Sequence, residues 1–246
     1  LLTDFGTADG YVGEVKGVLH SMVPAVRVVD ISHDVIAQDI EGARLAVARY
    51  WRRFPVGTVH MVVVDPGVGS HRAALAVHSD GRFLVGPDNG VLSPALFALD
   101  AQVVMLPVSP QAAPTFHGRD VFAPAAARLA TGTALHELGD PWHAPERRRT
   151  PEAQRQADGT IAGEIITVDR FGNGITNLFV RGAGVVHVAG EQLPVQRTYA
   201  EVPSGAPLAL VGSNGLLEVA VRDGRAAERF ALARGVPVQF VPFPRS

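Results

Sequence analysis

The segment GTVHMVVVDPGVG (residues 57–69) is an almost unbroken apolar run that stops on Asp65, Pro66 and a glycine-rich turn. A strand facing solvent on one side alternates apolar and polar residues, whereas a continuous run marks a strand covered on both faces. The segment therefore reads as a central parallel strand, with helices above and below it. Its carboxyl end then delivers Asp65 to the sheet edge where open α/β sheets bind ligands.

The flanking sequence supplies the helices. On the amino-terminal side, DIEGARLAVARYWRRFP (residues 39–55) spaces Ile40, Ala43, Leu45 and Val47 at the helical period, with Asp39 as its cap. VRVVDIS (residues 26–32) reads as a short strand. YVGEVKGVLHSM (residues 11–22) puts Val12, Val15, Leu19 and Met22 on one helical face before Pro24 stops it. On the carboxyl-terminal side, RAALAVHSDGRFLVGPDNG (residues 72–90) reads as a hairpin turning at Asp80-Gly81. DAQVVMLP (residues 100–107) is a further strand, and GRDVFAPAAARLATG (residues 118–132) a further helix. These elements predict an amino-terminal three-layer α/β/α domain with a mostly parallel sheet over residues 1–140.

Residues 141–158 are rich in Pro, Arg, Glu and Gln and read as a linker. Beyond them, TIAGEIITVDRFGN, GVVHVAG, EQLPVQRTYAEV, APLALVG and LLEVAVRDG are short strands punctuated by turns, with no convincing helix before Arg225. That pattern predicts a small all-β, barrel-like domain over residues 159–246.

Composition narrows the function. The chain has 246 residues, 47% of them hydrophobic and 19% charged, with a net charge of −2, so nothing in its bulk electrostatics favours a nucleic-acid partner. The basic stretch PERRRTPEAQRQADG (residues 145–159) is short and linker-like. No apolar run approaches membrane-spanning length. With no cysteine, disulfides, thiolate nucleophiles and Cys-ligated metals are excluded, which fits a cytoplasmic protein. The opening strand starts so abruptly that a few residues are expected to precede Leu1.

Polar residues gather at four strand-to-loop junctions: TDFGTADG (residues 3–10), VVVDPGVGSHR (62–72), GPDNG (86–90) and TFHGRD (115–120). No complete GxGxxG, Walker A or GxSxG pattern is present, and HGRD lacks the ordered companions of a kinase catalytic loop. These junctions, together with VVDISHDV and the later DRFGNGITN, resemble the S-adenosylmethionine hydroxide adenosyltransferase family over essentially the whole chain. That family is similar to bacterial fluorinating and chlorinating enzymes. The resemblance implies hydrolysis of S-adenosyl-L-methionine to adenosine and L-methionine, with no cofactor and no metal. It also implies a homotrimer whose sites lie between the amino-terminal domain of one subunit and the carboxyl-terminal domain of its neighbour.

Carried over residue by residue, the resemblance assigns catalysis to Asp65, Arg72 and His117. Arg72 would hold a hydroxide-like nucleophile, His117 would relay its proton, and Asp65 would fix Arg72. Asp4 would grip the ribose diol, since a carboxylate can accept a hydrogen bond from each vicinal hydroxyl. Thr7 and Asp9 share its loop, with Asp9 equally readable as a helix cap, and Tyr11 can line the ligand or pack as an ordinary aromatic. In the second domain Asp169 and Asn173 match residues for the charged end of methionine, and Phe171 would pack near the purine. Ser213 and Asn214 lie in a turn that also serves as a plain hairpin connection. Asn89 reads as a supporting turn residue. Halogenating relatives carry Tyr at the place of Asp65, Thr at Val68 and Tyr at His117, and the fluorinating enzyme carries Ser at Gly118. A carboxylate at Asp65 is expected to repel halide unless screened. Three other readings stay open on the residues alone: a Mg-dependent hydrolase using Asp4, Asp9, Asp65 and Asp88, a halogenating enzyme, and a non-catalytic nucleoside sensor.

Overall fold

A computed structural model describes residues 1–243. It divides into two compact units, Leu1–Arg149 and a second beginning at Thr150. The last three residues of the expected second domain, 244–246, lie outside the described residues.

The first unit runs β1 (Leu2–Thr3), α1 (Tyr11–Met22), α2 (Ile40–Tyr50), β2 (Val59–Val63), β3 (Ala74–Ser79), β4 (Arg82–Pro87), α3 (Ser93–Leu96), β5 (Gln102–Leu106), α4 (Ala123–Ala130) and β6 (Asp140–Pro141). Its sheet has the order β1-β2-β4-β3-β5-β6. The apolar run around β2 is covered on both sides. Met61 and Val63 pack with Val15, Leu19, Phe122 and Leu129 in one core, while Val62 and Val64 pack with Val47, Trp51, Leu92 and Leu96 in the other. Each such fully buried aliphatic side chain contributes about 1.5–3 kcal/mol relative to an exposed one. His60 interrupts the run without breaking it: burial pushes its imidazole down to about 4, so the ring stays neutral between Tyr50 and Phe54.

The sheet is mixed rather than mostly parallel. β1, β2 and β4 are parallel neighbours, but β3, β5 and β6 pair antiparallel. The cause is local. Asp80 at φ 47° and Gly81 at φ 68° form the tight turn that suits a two-residue hairpin, and the hairpin places β3 between β4 and β5.

Two other expectations change. Residues 26–32 are extended but form no strand; only Ser32 makes a bridge, to Leu2. With β1 only two residues long, the segment has little ladder to join, and it bonds through Ile31 N to Leu1 O (2.8 Å) and Thr3 N to Ser32 O (3.0 Å). The helix expected at 118–132 opens as a π turn over Gly118–Phe122 and becomes α-helical only from Ala123. Pro124 has no N–H to complete the tighter α register at that junction, and Ala123 N bonds back to Gly118 O.

Part of the stretch read as a linker is tied to the first unit. Asp88 accepts hydrogen bonds from Trp142 Nε1 (2.9 Å) and Glu146 N (2.7 Å), and Ser93 Oγ accepts one from Arg148 N (2.8 Å). The basic run is spent internally as well, with the Arg149 guanidinium 4.7 Å from the Phe97 ring centroid.

The second unit runs β7 (Gln154–Arg155), β8 (Ile161–Val168), β9 (Gly174–Thr176), β10 (Gly184–Val188), β11 (Glu191–Gln196), β12 (Pro207–Val211), β13 (Leu217–Val221), α5 (Ala226–Arg229) and β14 (Pro237–Pro242). Strands β8-β14-β10-β11-β12-β13-β9 close on themselves, because β8 pairs both β14 and β9. Ile165, Leu178, Val186, Leu193, Leu217, Val219 and Phe240 fill the interior. Closure satisfies the strand edges that an open sheet of such short strands would expose. Among the described residues, no helix is long and apolar enough to cross a membrane.

Candidate active site

Because β1, β2 and β4 run parallel, the loops that follow them leave from one edge and bring Asp4, Asp65 and Asp88-Asn89 to the same side of the sheet. Asn89 supports that edge from within. Its Nδ2 donates to Val64 O (2.9 Å), fixing the residue just before Asp65, and its Oδ1 accepts from Val91 N (3.1 Å).

The turn after Asp65 presses against the segment that carries His117. Gly69 has φ 76°, and a Cβ there would lie 2.6 Å from Pro114 O, so both the backbone conformation and the close approach require glycine. This approach brings the three expected catalytic residues together. Arg72 Nε donates to Asp65 Oδ1 at 2.9 Å, and Arg72 Nη2 donates to Asp65 Oδ2. The same Nη2 lies 2.9 Å from His117 Nδ1. The pair is almost wholly buried, with side-chain exposures of 9% for Arg72 and 5% for Asp65, and His117 is 6% exposed. The bidentate carboxylate holds the guanidinium plane, which leans over the Phe122 ring at 5.4 Å.

This contact sets the state of His117. A guanidinium can only donate, so Nδ1 must accept, and the neutral ring carries its proton on Nε2. Burial, followed by the positive charge of Arg72, pushes the His117 pKa down, while Asp65 and Asp120 oppose the shift less strongly. His117 is therefore neutral at physiological pH. The same geometry revises the electrostatic case against halide. Arg72 covers both Asp65 oxygens, so the carboxylate is screened.

The β1 loop places Asp4 half-buried, with Oδ2 accepting from Gln38 N at 2.8 Å. Thr7 and Asp9 are exposed. Asp9 is not the cap of α1; that position belongs to Gly10. Tyr11 is 47% exposed and packs edge-on against Phe116 (5.4 Å) and Phe5 (6.3 Å), so it belongs to an open aromatic wall rather than to the core. Gly118 lies beneath that wall: a Cβ there would meet Phe5 Cζ at 3.2 Å and Phe116 Cε2 at 3.3 Å.

In the second unit Asp169 and Asn173 meet. Asn173 donates its N–H to Asp169 Oδ1 (2.8 Å) and Nδ2 to Asp169 Oδ2 (3.1 Å), and Nδ2 also donates to the Tyr199 hydroxyl at 3.1 Å. Asn173 and Tyr199 border a cavity of about 780 Å³ that is also lined by Phe171, Arg222 and Arg225 among others. Tyr199 is absent from the sequence-based site. It falls in a strand-like stretch, and no spacing marks it. Burial, with Glu218 and Asp169 nearby, pushes its hydroxyl pKa up, so it stays protonated and able to donate. Phe171 is 73% exposed. Ser213 is exposed, and Asn214 Oδ1 accepts from Leu216 N (3.0 Å), which is the work of a turn residue. The four carboxylates of the metal reading do not converge. Among the described residues, no group of three or more His, Asp and Glu side chains gathers as a metal-binding set.

The chain combines an α/β/α unit with a closed β-barrel, and the Asp65–Arg72–His117 cluster belongs to the first. The family model for the SAM hydroxide adenosyltransferase N-terminal domain matches residues 1–139, and that for the C-terminal domain matches residues 163–239. The chain belongs to this family. It is 42% identical to the (R)-S-adenosyl-L-methionine hydrolase of Thermus thermophilus, over 98% of each chain. A crystal structure of an uncharacterized conserved protein from Thermotoga maritima superposes with a TM-score of 0.89 at 31% identity, covering 97% of this chain and 98% of that one. A fluorinase from Actinoplanes sp. is more distant, at 26% identity over 96% of this chain and 95% of the relative.

Proposed function

We propose that Asp65, Arg72 and His117 activate the water that attacks carbon 5′ of the substrate ribose. The chain hydrolyses S-adenosyl-L-methionine to adenosine and L-methionine. The oxygen of water bonds to carbon 5′, the C5′–S bond breaks with its electron pair passing to sulfur, and methionine leaves as a neutral thioether. No general acid and no cofactor is needed for that departure. The requirement is an in-line nucleophile held near carbon 5′ and a route for its proton.

The observation that carries this reading is the shared guanidinium, fixed by Asp65 on one side and donating to a neutral imidazole on the other. Arg72 stabilises negative charge as it develops on the water oxygen. His117 is in its base form at neutral pH, so it can accept the departing proton at Nδ1 as the water displaces Arg72 there. Its lowered pKa favours passing that proton on to solvent. The test is to incubate the protein with each sulfonium epimer of S-adenosyl-L-methionine, with and without halide, and identify the nucleoside by mass spectrometry. Adenosine from either epimer, unchanged by halide, supports the reading, and a 5′-halonucleoside in the halide arms, or no adenosine from either epimer, overturns it.

Asp4 is assigned to the ribose diol. Gln38 N occupies one lone pair of Oδ2, which leaves Oδ1 and the remaining Oδ2 site to accept two hydroxyls. Asp4→Ala is expected to weaken adenosine binding by about 1.5–3 kcal/mol, the range for hydrogen bonds to a charged group. Calorimetry on the folded variant checks this, and unchanged affinity removes the assignment. Thr7, Asp9 and Tyr11 complete that side of the pocket. Asp169 and Asn173 are assigned to the ammonium and carboxylate of methionine, with Phe171, Ser213 and Asn214 around the nucleoside. These second-unit residues serve the site of a neighbouring subunit in a closed homotrimer, a cyclic arrangement that satisfies contacts between unlike surfaces. Sedimentation at assay concentration is expected to find a trimer, and a fully active monomer contradicts this.

A further inference from the structure

Next to the Asp4 loop, a chain of polar contacts runs from the surface into the sheet edge. Lys16 Nζ donates to Asp30 Oδ2 at 2.5 Å, and Asp30 Oδ1 lies 3.1 Å from His33 Nε2, close but off the line of a well-directed hydrogen bond. His33 Nδ1 lies 2.8 Å from Thr3 Oγ1. Thr3 is 1% exposed and His33 6%, so the inner half of the chain is sealed from water. The Asp30 carboxylate can only accept, so the neutral ring that carries its proton on Nε2 faces it favourably; Nδ1 is then the acceptor for the Thr3 hydroxyl, whose oxygen also accepts from Phe5 N (3.3 Å).

The same residue holds the loop through its backbone. Gly6 N donates to His33 O at 2.8 Å, and Thr3 N to Ser32 O at 3.0 Å. Residues 3 and 6 are thus anchored directly on Ser32 and His33, residue 5 is held to them through the Thr3 hydroxyl, and Asp4 sits between them. Five residues further on, Gln38 N reaches Asp4 Oδ2 from a backbone at φ 66°, a conformation that costs a non-glycine residue energy and persists only where its surroundings enforce it. Leu1–Thr3 and residues 31–33 run side by side, yet only one bridge forms, so ordinary strand pairing does not account for the rigidity of this edge.

We infer that His33, acting through Thr3 and the backbone of residues 5 and 6, is a positioning residue that sets the angle at which Asp4 meets the ribose. This rests on the assignment of Asp4 to the ribose diol. Misplacing a binding carboxylate by a fraction of an ångström loses its directed hydrogen bonds, while the Asp65–Arg72–His117 hydrogen bonds, none of which involves residues 3–6 or His33, stay in place. His33 therefore acts on nucleoside affinity and not on the chemical step.

The test measures adenosine and L-methionine affinity by calorimetry, and kcat and KM for S-adenosyl-L-methionine, in His33→Ala, His33→Asn, Thr3→Val and Asp4→Ala. His33→Ala is expected to raise the adenosine Kd and the substrate KM about tenfold, with kcat changed less than about twofold and methionine affinity unchanged. His33→Asn, whose side-chain oxygen can take the place of Nδ1 as acceptor, should restore most of the adenosine affinity. Thr3→Val keeps the shape and removes only the hydroxyl; it should raise the adenosine Kd about threefold and remains informative if His33→Ala does not fold. Unchanged adenosine affinity in both His33→Ala and Thr3→Val, or an equal loss for methionine, overturns the inference. If Asp4→Ala weakens adenosine binding while those two variants do not, the inference fails alone. If Asp4→Ala has no effect, the Asp4 assignment falls and takes the inference with it.

Discussion

Replacing His117 with alanine is expected to lower kcat about 10²–10⁴-fold while leaving KM nearly unchanged, the range for loss of a positioned acid–base group. The expectation follows from where the ring sits. His117 Nδ1 lies 2.9 Å from the guanidinium nitrogen that also binds Asp65, so the ring belongs to the electrostatic cluster, apart from the groups assigned to the ribose and methionine. The pH profile gives the sign. Burial and Arg72 push the His117 pKa below its usual 6.5, and the proposed mechanism uses the neutral ring. The rate should therefore be level through neutral pH and fall only on the acid side of the ordinary histidine range, and His117→Ala should lose that acid limb. The stability linkage has the same direction. A histidine kept neutral in the folded state contributes stability above its unfolded pKa, and that contribution is lost as the pH falls. Steady-state kinetics from acid to neutral pH checks the loss of rate and of the acid limb, and a variant with near-parental kcat removes His117 from the chemistry.

Asp65→Ala should produce the largest change in stability. Arg72 is 9% exposed and donates two of its hydrogen bonds to this one carboxylate. Removing Asp65 leaves a buried guanidinium without its counter-charge, a loss of about 3–5 kcal/mol. Asp65→Asn keeps one oxygen acceptor for Arg72 Nε and should lose clearly less. Urea unfolding of the three proteins makes the comparison, with the midpoint falling most in Asp65→Ala. A loss below about 1 kcal/mol, as for an exposed pair, shows that the cluster is not sealed from solvent in solution.

The parts of this molecule that were legible in its sequence are those governed by local rules. The apolar run ending at Asp65 reveals a covered central strand, because only burial on both faces tolerates Met61, Val62, Val63 and Val64 in succession. Asp80-Gly81 reveals the hairpin because few other pairs accept two successive positive φ values. The meeting of Asp65, Arg72 and His117 was implied by resemblance; periodicity alone gives no reason for residues 45 positions apart to touch. What stayed hidden depended on tertiary partners. Residues 26–32 have the β-branched composition of a strand but lie beside a β1 of only two residues. Nothing local says that the 74–87 hairpin folds outward and turns half the sheet antiparallel. Tyr199 and His33 were missed for the same reason: each matters through a contact 26 or 30 residues away in sequence.

The most direct test of the central claim, attack by solvent water under the control of the Arg72–His117 contact, is a single-turnover reaction in ¹⁸O-labelled water. Enzyme in excess of S-adenosyl-L-methionine is quenched over time, and the adenosine is analysed by mass spectrometry for the parent protein and for His117→Ala. The account predicts adenosine carrying one solvent oxygen at carbon 5′ in the parent, formed in a phase that slows by about 10²-fold or more in the variant even when substrate binding is saturated. Unlabelled adenosine, or an equal single-turnover rate constant in the two proteins, contradicts it.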